Sequence, residues 1–152
     1  MAATALLSWL ATSLLWALAS ALVGMHPTVV SSGSMAPRIR PGDVVVATPA
    51  RAGPLRPGTV LLVDDPERPG LLLLHRLLRR TSEGLLVTKG DANARPDPAP
   101  VATAAVRGVA RLRISYVGLP KLWLAERRWP LLAAFTAAVA ALVVAARAPA
   151  TR

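Results

Sequence analysis

Ser34 stands in a Gly- and Pro-containing stretch, SSGSMAPRIRPGD (31–43), of the kind that makes a turn and can expose a hydroxyl. His75 ends an apolar run, LLLLHR (71–76), and Asp91 and Asp97 follow it by 16 and 22 residues in TKGDANARPDP (88–98). A serine hydroxyl is a weak nucleophile until a base takes its proton, and an imidazole suits that task near neutral pH. A carboxylate can then fix the imidazole tautomer and stabilise the imidazolium. Spacing alone does not require this chemistry. A lone histidine on an apolar face is more often a satisfied structural residue, and Ser, Gly and Pro usually mean a loop. Spacing also leaves open which of Asp91 and Asp97 would orient His75, and whether Lys89 is a rival base. An S-x-x-K serine hydrolase pattern is excluded, because Pro37 stands three residues after Ser34. The chain has no cysteine, hence no disulfide framework and no thiolate metal site.

These groups lie in a region of short apolar pieces divided by turn residues. Val44–Ala47, Thr59–Val63, Leu71–Leu74, Leu85–Thr88 and Val106–Ile114 read as strands. Pro41-Gly42-Asp43, Pro57-Gly58, Pro69-Gly70, Glu83-Gly84 and Pro96–Pro100 separate them, which predicts a mainly β domain. Within the last strand, VARLRIS (109–115) alternates as a half-buried strand should.

The flanks differ. Residues 2–25 contain no charge, a length of 24 that suffices for a membrane span of roughly 20 residues. Residues 130–146, PLLAAFTAAVAALVVAA, form a 17-residue run read as a second span, with an amphipathic or core helix as the other reading. No Lys or Arg precedes the first run, and it exceeds the h-region of a cleaved signal peptide, so a retained anchor is expected despite the small-residue stretch ALASA (17–21). The predicted organisation is therefore a span at 2–25, a β-rich catalytic domain at 26–129, a second span at 130–146 and a short basic tail at 147–152.

The net charge of +10 invites a nucleic-acid reading. The basic residues are scattered singly, however, and no interleaving of aromatic and basic residues of the single-strand-binding kind is present. No nucleic-acid partner is expected.

SGSMAP (32–37) followed by GD (42–43) resembles the nucleophile motif of the type I signal peptidases (the S26 family). HRLLRR (75–80) and TKGDANARPD (88–97) resemble the two later motifs of that family, in the same order. RGVARLRISYVGLPKLWL (107–124) is similar to its closing strand leading to a second anchor. Housekeeping bacterial members place Lys where this chain has His75; the branch resembling the endoplasmic-reticulum, archaeal and some Gram-positive, sporulation-type enzymes has His. The resemblance implies Ser34 as nucleophile and His75 as general base. It implies Asp97 as the acidic partner and Asp91 as a second acidic position. Ser32, with the Ser34 amide, would form an oxyanion hole, and Gly33, Met35 and Pro37 would contact substrate. Lys89 matches a family lysine outside the base position. Arg38 and Ala92 depart from residues common at their positions, which touches loop detail rather than chemistry.

The expected activity is removal of signal peptides from secreted preproteins, without cofactor or metal, at the plasma membrane and close to the secretion translocon. Ser34 lies nine residues after Met25, so extended chain of about 3.3–3.6 Å per residue ties it to the membrane's neighbourhood. Arg111, Arg113, Lys121, Arg127 and Arg128 precede the second run and only Arg147 and Arg152 follow it, which by the positive-inside rule favours a cytoplasmic domain. That rule weakens for loops above about 60 residues, and cleavage of signal peptides requires an extracytoplasmic domain, which is the expectation adopted. Two alternatives remain: a relative of self-cleaving repressor peptidases, disfavoured by His75 and the apolar runs, and an inactive membrane-anchored β scaffold.

Overall fold

The computed structural model describes residues 25–50 and 55–147. They form one six-stranded antiparallel sheet followed by two helices: β1 (His26–Val29), β2 (Val44–Thr48), β3 (Val60–Asp64), β4 (Leu72–Arg80), β5 (Leu86–Lys89), β6 (Val106–Ile114), α1 (Leu119–Ala125) and α2 (Trp129–Arg147). The spatial order is β1-β2-β6-β3-β4-β5, so the last strand inserts between β2 and β3 and closes the sheet across its middle. The five predicted strands are all present. β1 was not foreseen, and β4 runs on to Arg80 because its polar end pairs with β5 through Arg79↔Val87 and Arg80↔Leu86.

Alternation along the strands makes two apolar clusters. Leu61 and Val63 of β3, Leu77 of β4, Leu86 of β5 and Val109 of β6 bury together with Leu55 and Val101. Val30, Met35, Ile39 and Val45 form the second cluster, with Val60, Leu74 and Ala110 packed against it. Full burial of one such side chain contributes about 1.5–3 kcal/mol, so the β3–β4 hairpin carrying His75 is among the best-anchored parts of the chain. His75 pairs with Leu61 and Arg76 with Val60; adjacent strand residues point to opposite sides, so the two basic residues face different surroundings.

The alternating stretch of β6 is not half-buried as expected. Leu112 is 54% exposed and Ile114 39%, since no described element covers the apolar side of this strand beyond Ala110. Their exposure continues through Tyr116, Val117 and Leu124 to Trp129.

The run read as a second span is helical, as α2. It packs on α1 through an edge contact of Trp123 with Phe135, centroids 6.2 Å apart. Leu131, Phe135, Val139, Leu142, Val143 and Val144 are exposed. No helix among the described residues is long and apolar enough to cross a membrane. The 19 residues of α2 reach only about 28 Å at 1.5 Å per residue, and they end in Arg147. Residues 2–24 of the other expected span, and 148–152 of the tail, lie outside the described residues.

Candidate functional site

The stretch that carries Ser34 is a compact turn pinned at both ends. Within it, the Ala36 amide donates to Gly33 O (2.9 Å) and the Ile39 amide to Met35 O (3.0 Å). Met35, 1% exposed, roots the turn in the second apolar cluster, which leaves Ser34 at the surface of a cleft. At the far end, the buried Asp43 accepts from the Arg40 amide (3.0 Å) and the Tyr116 amide (3.2 Å). Gly42 donates to Val30 O and accepts from the Gly118 amide; with φ +88°, and a Cβ that would fall 2.3 Å from Leu119, only glycine fits there. The Gly-Asp pair is thus a structural clasp.

From the other side the 90–97 loop closes on Ser34. The Ala92 amide donates to Ser34 O (2.8 Å). A Cβ on Gly90 would lie 2.6 Å from Ser34 O and 2.9 Å from His75 Nε2, so the absent side chain is what lets loop and strand meet.

Three side chains form a continuous line at this junction. Ser34 Oγ lies 3.0 Å from His75 Nε2, and His75 Nδ1 lies 2.6 Å from Asp97 Oδ2. An ionised carboxylate only accepts hydrogen bonds, so Nδ1–H donates to Asp97, and Nε2 is left to accept from the Ser34 hydroxyl. His75 is 4% exposed. Asp97 Oδ2 also accepts from the Thr88 hydroxyl (2.6 Å). Ser32 Oγ lies 3.2 Å from Ser34 Oγ, and among the described residues no acceptor takes the Ser34 amide N–H. Both donors of the expected oxyanion hole therefore sit beside the Ser34 hydroxyl.

Asp91 is elsewhere. Arg76 binds it in a fork, Nε to Oδ1 at 2.8 Å and Nη2 to Oδ2 at 2.6 Å, and also donates to Gly58 O. The hydrogen bond from Arg76 holds the Asp91 carboxyl below the usual range against the opposing effect of desolvation, and the same bond pushes Arg76 up. Lys89 pairs with Arg76 across β4 and β5 and borders the same depression as Asp91, which removes it from the base position. One expected substrate contact lies elsewhere. Pro37 lines that same depression with Arg38, Arg76 and Asp91 rather than the Ser34 cleft, because the turn after Ser34 carries the chain away. Met35 is core, reaching only the floor of an apolar groove. Gly33 has open space where a Cβ would be, leaving room beside Ser34.

Ser34 lies where two hollows join. A cleft of about 360 Å³ is walled by the 65–68 loop, His75 and the 93–99 loop. A smaller groove of about 180 Å³ runs between Thr28–Ser32 and Leu71–Leu74. Ser32, Ser34, Arg68 and Leu73 border both. The 65–68 wall is held by Asp65, which accepts from the Glu67 and Arg68 amides and from Arg68 Nε (2.8 Å). Burial works to raise the Asp65 carboxyl, and these donors together outweigh it and lower it.

Thr88, Gly90 and Asp65 were not singled out from the sequence. Thr88 carried a readable signal, a hydroxyl that ends the apolar piece Leu85–Val87 just before the KGD turn. Gly90 gave none, since it acts through a tertiary approach; Asp65 works through a local turn, binding the amides two and three residues on and the Arg68 side chain. Among the described residues no cluster of His, Cys, Asp and Glu could hold a metal ion. No protein-family model matches the chain, and no curated protein matches it.

Proposed function

We propose that the chain is a membrane-attached serine endopeptidase of the signal-peptidase type, using Ser34 as nucleophile, His75 as general base and Asp97 as the carboxylate that orients it. The observation that carries this reading is the unbroken line Ser34 Oγ–His75 Nε2 and His75 Nδ1–Asp97 Oδ2, at 3.0 and 2.6 Å. A buried imidazole joined to both a hydroxyl and a carboxylate within hydrogen-bond reach is the geometry that acyl transfer requires.

In this mechanism His75 Nε2 takes the Ser34 proton as Oγ attacks the scissile carbonyl. The developing oxyanion is met by the Ser34 amide and the Ser32 hydroxyl. His75 then gives its proton to the leaving amine, and water, deprotonated by the same nitrogen, releases the acyl group. An extended peptide fits the groove between Thr28–Ser32 and Leu71–Leu74, where the apolar walls suit small side chains before the cut. The continuous opening past Ser34 receives the chain after it.

Attachment to the plasma membrane rests on the uncharged run 2–25 and on the exposed apolar surface from Leu112 through α2. The catalytic domain is proposed to be extracytoplasmic, where preproteins emerge. Of the five basic residues that argue for a cytoplasmic domain, three are engaged within the fold: Arg113 donates to Arg38 O, Arg111 to Thr48 and Arg128 pairs with Glu126. The bias carries little weight in any case, since residues 26–129 are a stretch of 104, well above the length of about 60 over which the positive-inside rule applies.

The test is cleavage of a preprotein by the full-length, detergent-solubilised chain. Ser34→Ala and His75→Ala are each expected to remove about 10⁴-fold or more of the rate while circular dichroism stays unchanged. Cleavage that survives either substitution would refute the Ser-His reading, and a folded wild type that cuts no preprotein would favour the scaffold.

A further inference from the structure

Thr88 is the only buried hydroxyl among the described residues. It stands opposite Leu77, two positions along β4 from His75, on the side of the strand where the imidazole lies. Its hydroxyl donates to Asp97 Oδ2 at 2.6 Å, and its carbonyl accepts from the Asp97 amide at 2.9 Å. One strand residue thus grips Asp97 by both main chain and carboxylate. The oxygen it holds is the one that accepts from His75 Nδ1.

Asp97 needs such a grip. It lies in the Pro-flanked loop RPDP (95–98) and borders the open cleft. A carboxylate there has a competing set of partners in water, and rotation about its side-chain torsions would carry Oδ2 away from Nδ1. The 2.6 Å separation is within the range of the stronger hydroxyl–carboxylate bonds, and Thr88 itself is fixed by a strand, the more rigid kind of element on which to mount a site.

We propose that Thr88 is a positioning residue for this site: by holding Oδ2 of Asp97 toward His75 Nδ1, it keeps Nε2 aimed at Ser34. The proposal rests on the Ser-His reading above and adds a fourth member to its hydrogen-bonded line. Loss of the Thr88 hydroxyl leaves Asp97 with His75 as its one side-chain donor. The imidazole then samples orientations in which Nε2 misses the serine, which slows acylation without altering the peptide groove.

The experiment uses the full-length chain in detergent and a fluorogenic peptide with an Ala-X-Ala cut site, comparing wild type, Thr88→Val, Thr88→Ser, Asp97→Asn and the Thr88→Val/Asp97→Asn double variant. Valine keeps the shape of threonine. Thr88→Val is expected to lower kcat by roughly 10- to 100-fold, the span of one hydrogen bond to a charged group, with KM little changed. Thr88→Ser, which retains the hydroxyl, should recover most of the rate. In the Asp97→Asn background Thr88→Val should cost little further, because the carboxylate it serves is gone. Full activity of Thr88→Val overturns the proposal. So does an equal loss in both backgrounds accompanied by a lower Tm, which marks a purely structural threonine. A wild type whose cleavage is untouched by Ser34→Ala instead overturns the parent reading, so the two failures are distinguishable.

Discussion

Asp91 and Asp97 belong to one loop, six residues apart, and the molecule uses them for different ends. Asp97 meets His75 and lies at the cleft; Asp91 meets Arg76 on the other side of the sheet. Their partners are consecutive residues of β4, so the division follows from the two-residue period of a strand. One side of β4 aims an imidazole at a hydroxyl. The other fastens the loop by a forked ion pair, and the same guanidinium also grips Gly58 O in the turn before β3. The loop is thus stapled through Asp91, and that staple holds still the segment on which Asp97 and Gly90 must be placed. A carboxylate near a histidine in sequence need not be its partner.

The sharpest way to break this comparison is to neutralise Asp97. Asp97→Asn keeps the side-chain shape but removes the acceptor that fixes the His75 tautomer, and kcat is expected to fall about 10⁴-fold, the loss seen when such a carboxylate becomes an amide. An Asp97→Asn variant that cleaves peptide at nearly the wild-type rate would return the orienting role to Asp91. A smaller effect is expected from Gly90→Ala. The new methyl group would need to occupy space 2.6 Å from Ser34 O and 2.9 Å from His75 Nε2, so the loop must retreat from Ser34. Misplacement on that scale costs about 10²-fold in kcat/KM. Peptide kinetics beside a thermal melt would check it, and an unimpaired variant would mean that the close approach of loop and nucleophile is dispensable.

Strand order within the chain was legible because turn residues bracket each apolar piece, and the ends of β2, β3, β5 and β6 fall within a residue or so of where the sequence puts them. β1 was not, since HPTV is four residues long and abuts an uncharged run that masks it. The proposed triad was legible only as a set of candidates. Spacing cannot tell Asp91 from Asp97 until His75 and Arg76 are known to lie on opposite sides of one strand. Gly90 acts through its approach to Ser34 and His75, segments far apart in sequence, and Thr88 through Asp97, nine residues on in a loop whose path back to the strand no local pattern encodes. The outward aim of Leu112 and Ile114 was hidden for a related reason: alternation says that two sides differ, and only the neighbouring elements decide which is covered.

The Asp91 side of the comparison has its own, smaller prediction, and it concerns stability rather than rate. The hydrogen bond from Arg76 lowers the folded-state pKa of Asp91 below the unfolded value of about 3.9. A group depressed in this way stabilises the fold fully above its unfolded pKa, and that contribution disappears as the pH falls through the folded value. Asp91→Asn should therefore lower stability at pH 7 by about 1 kcal/mol, the upper end for a partly exposed ion pair, while leaving kcat close to wild type. The gap in Tm between wild type and variant should hold from neutral pH down to about pH 4 and narrow below it, as the wild-type carboxylate takes up its proton. Thermal melts from pH 7 to pH 2, run beside peptide cleavage at neutral pH, measure both. A gap unchanged in acid would show that the ion pair is not what Asp91 contributes. A rate loss approaching that of Asp97→Asn would erase the distinction between the two carboxylates altogether.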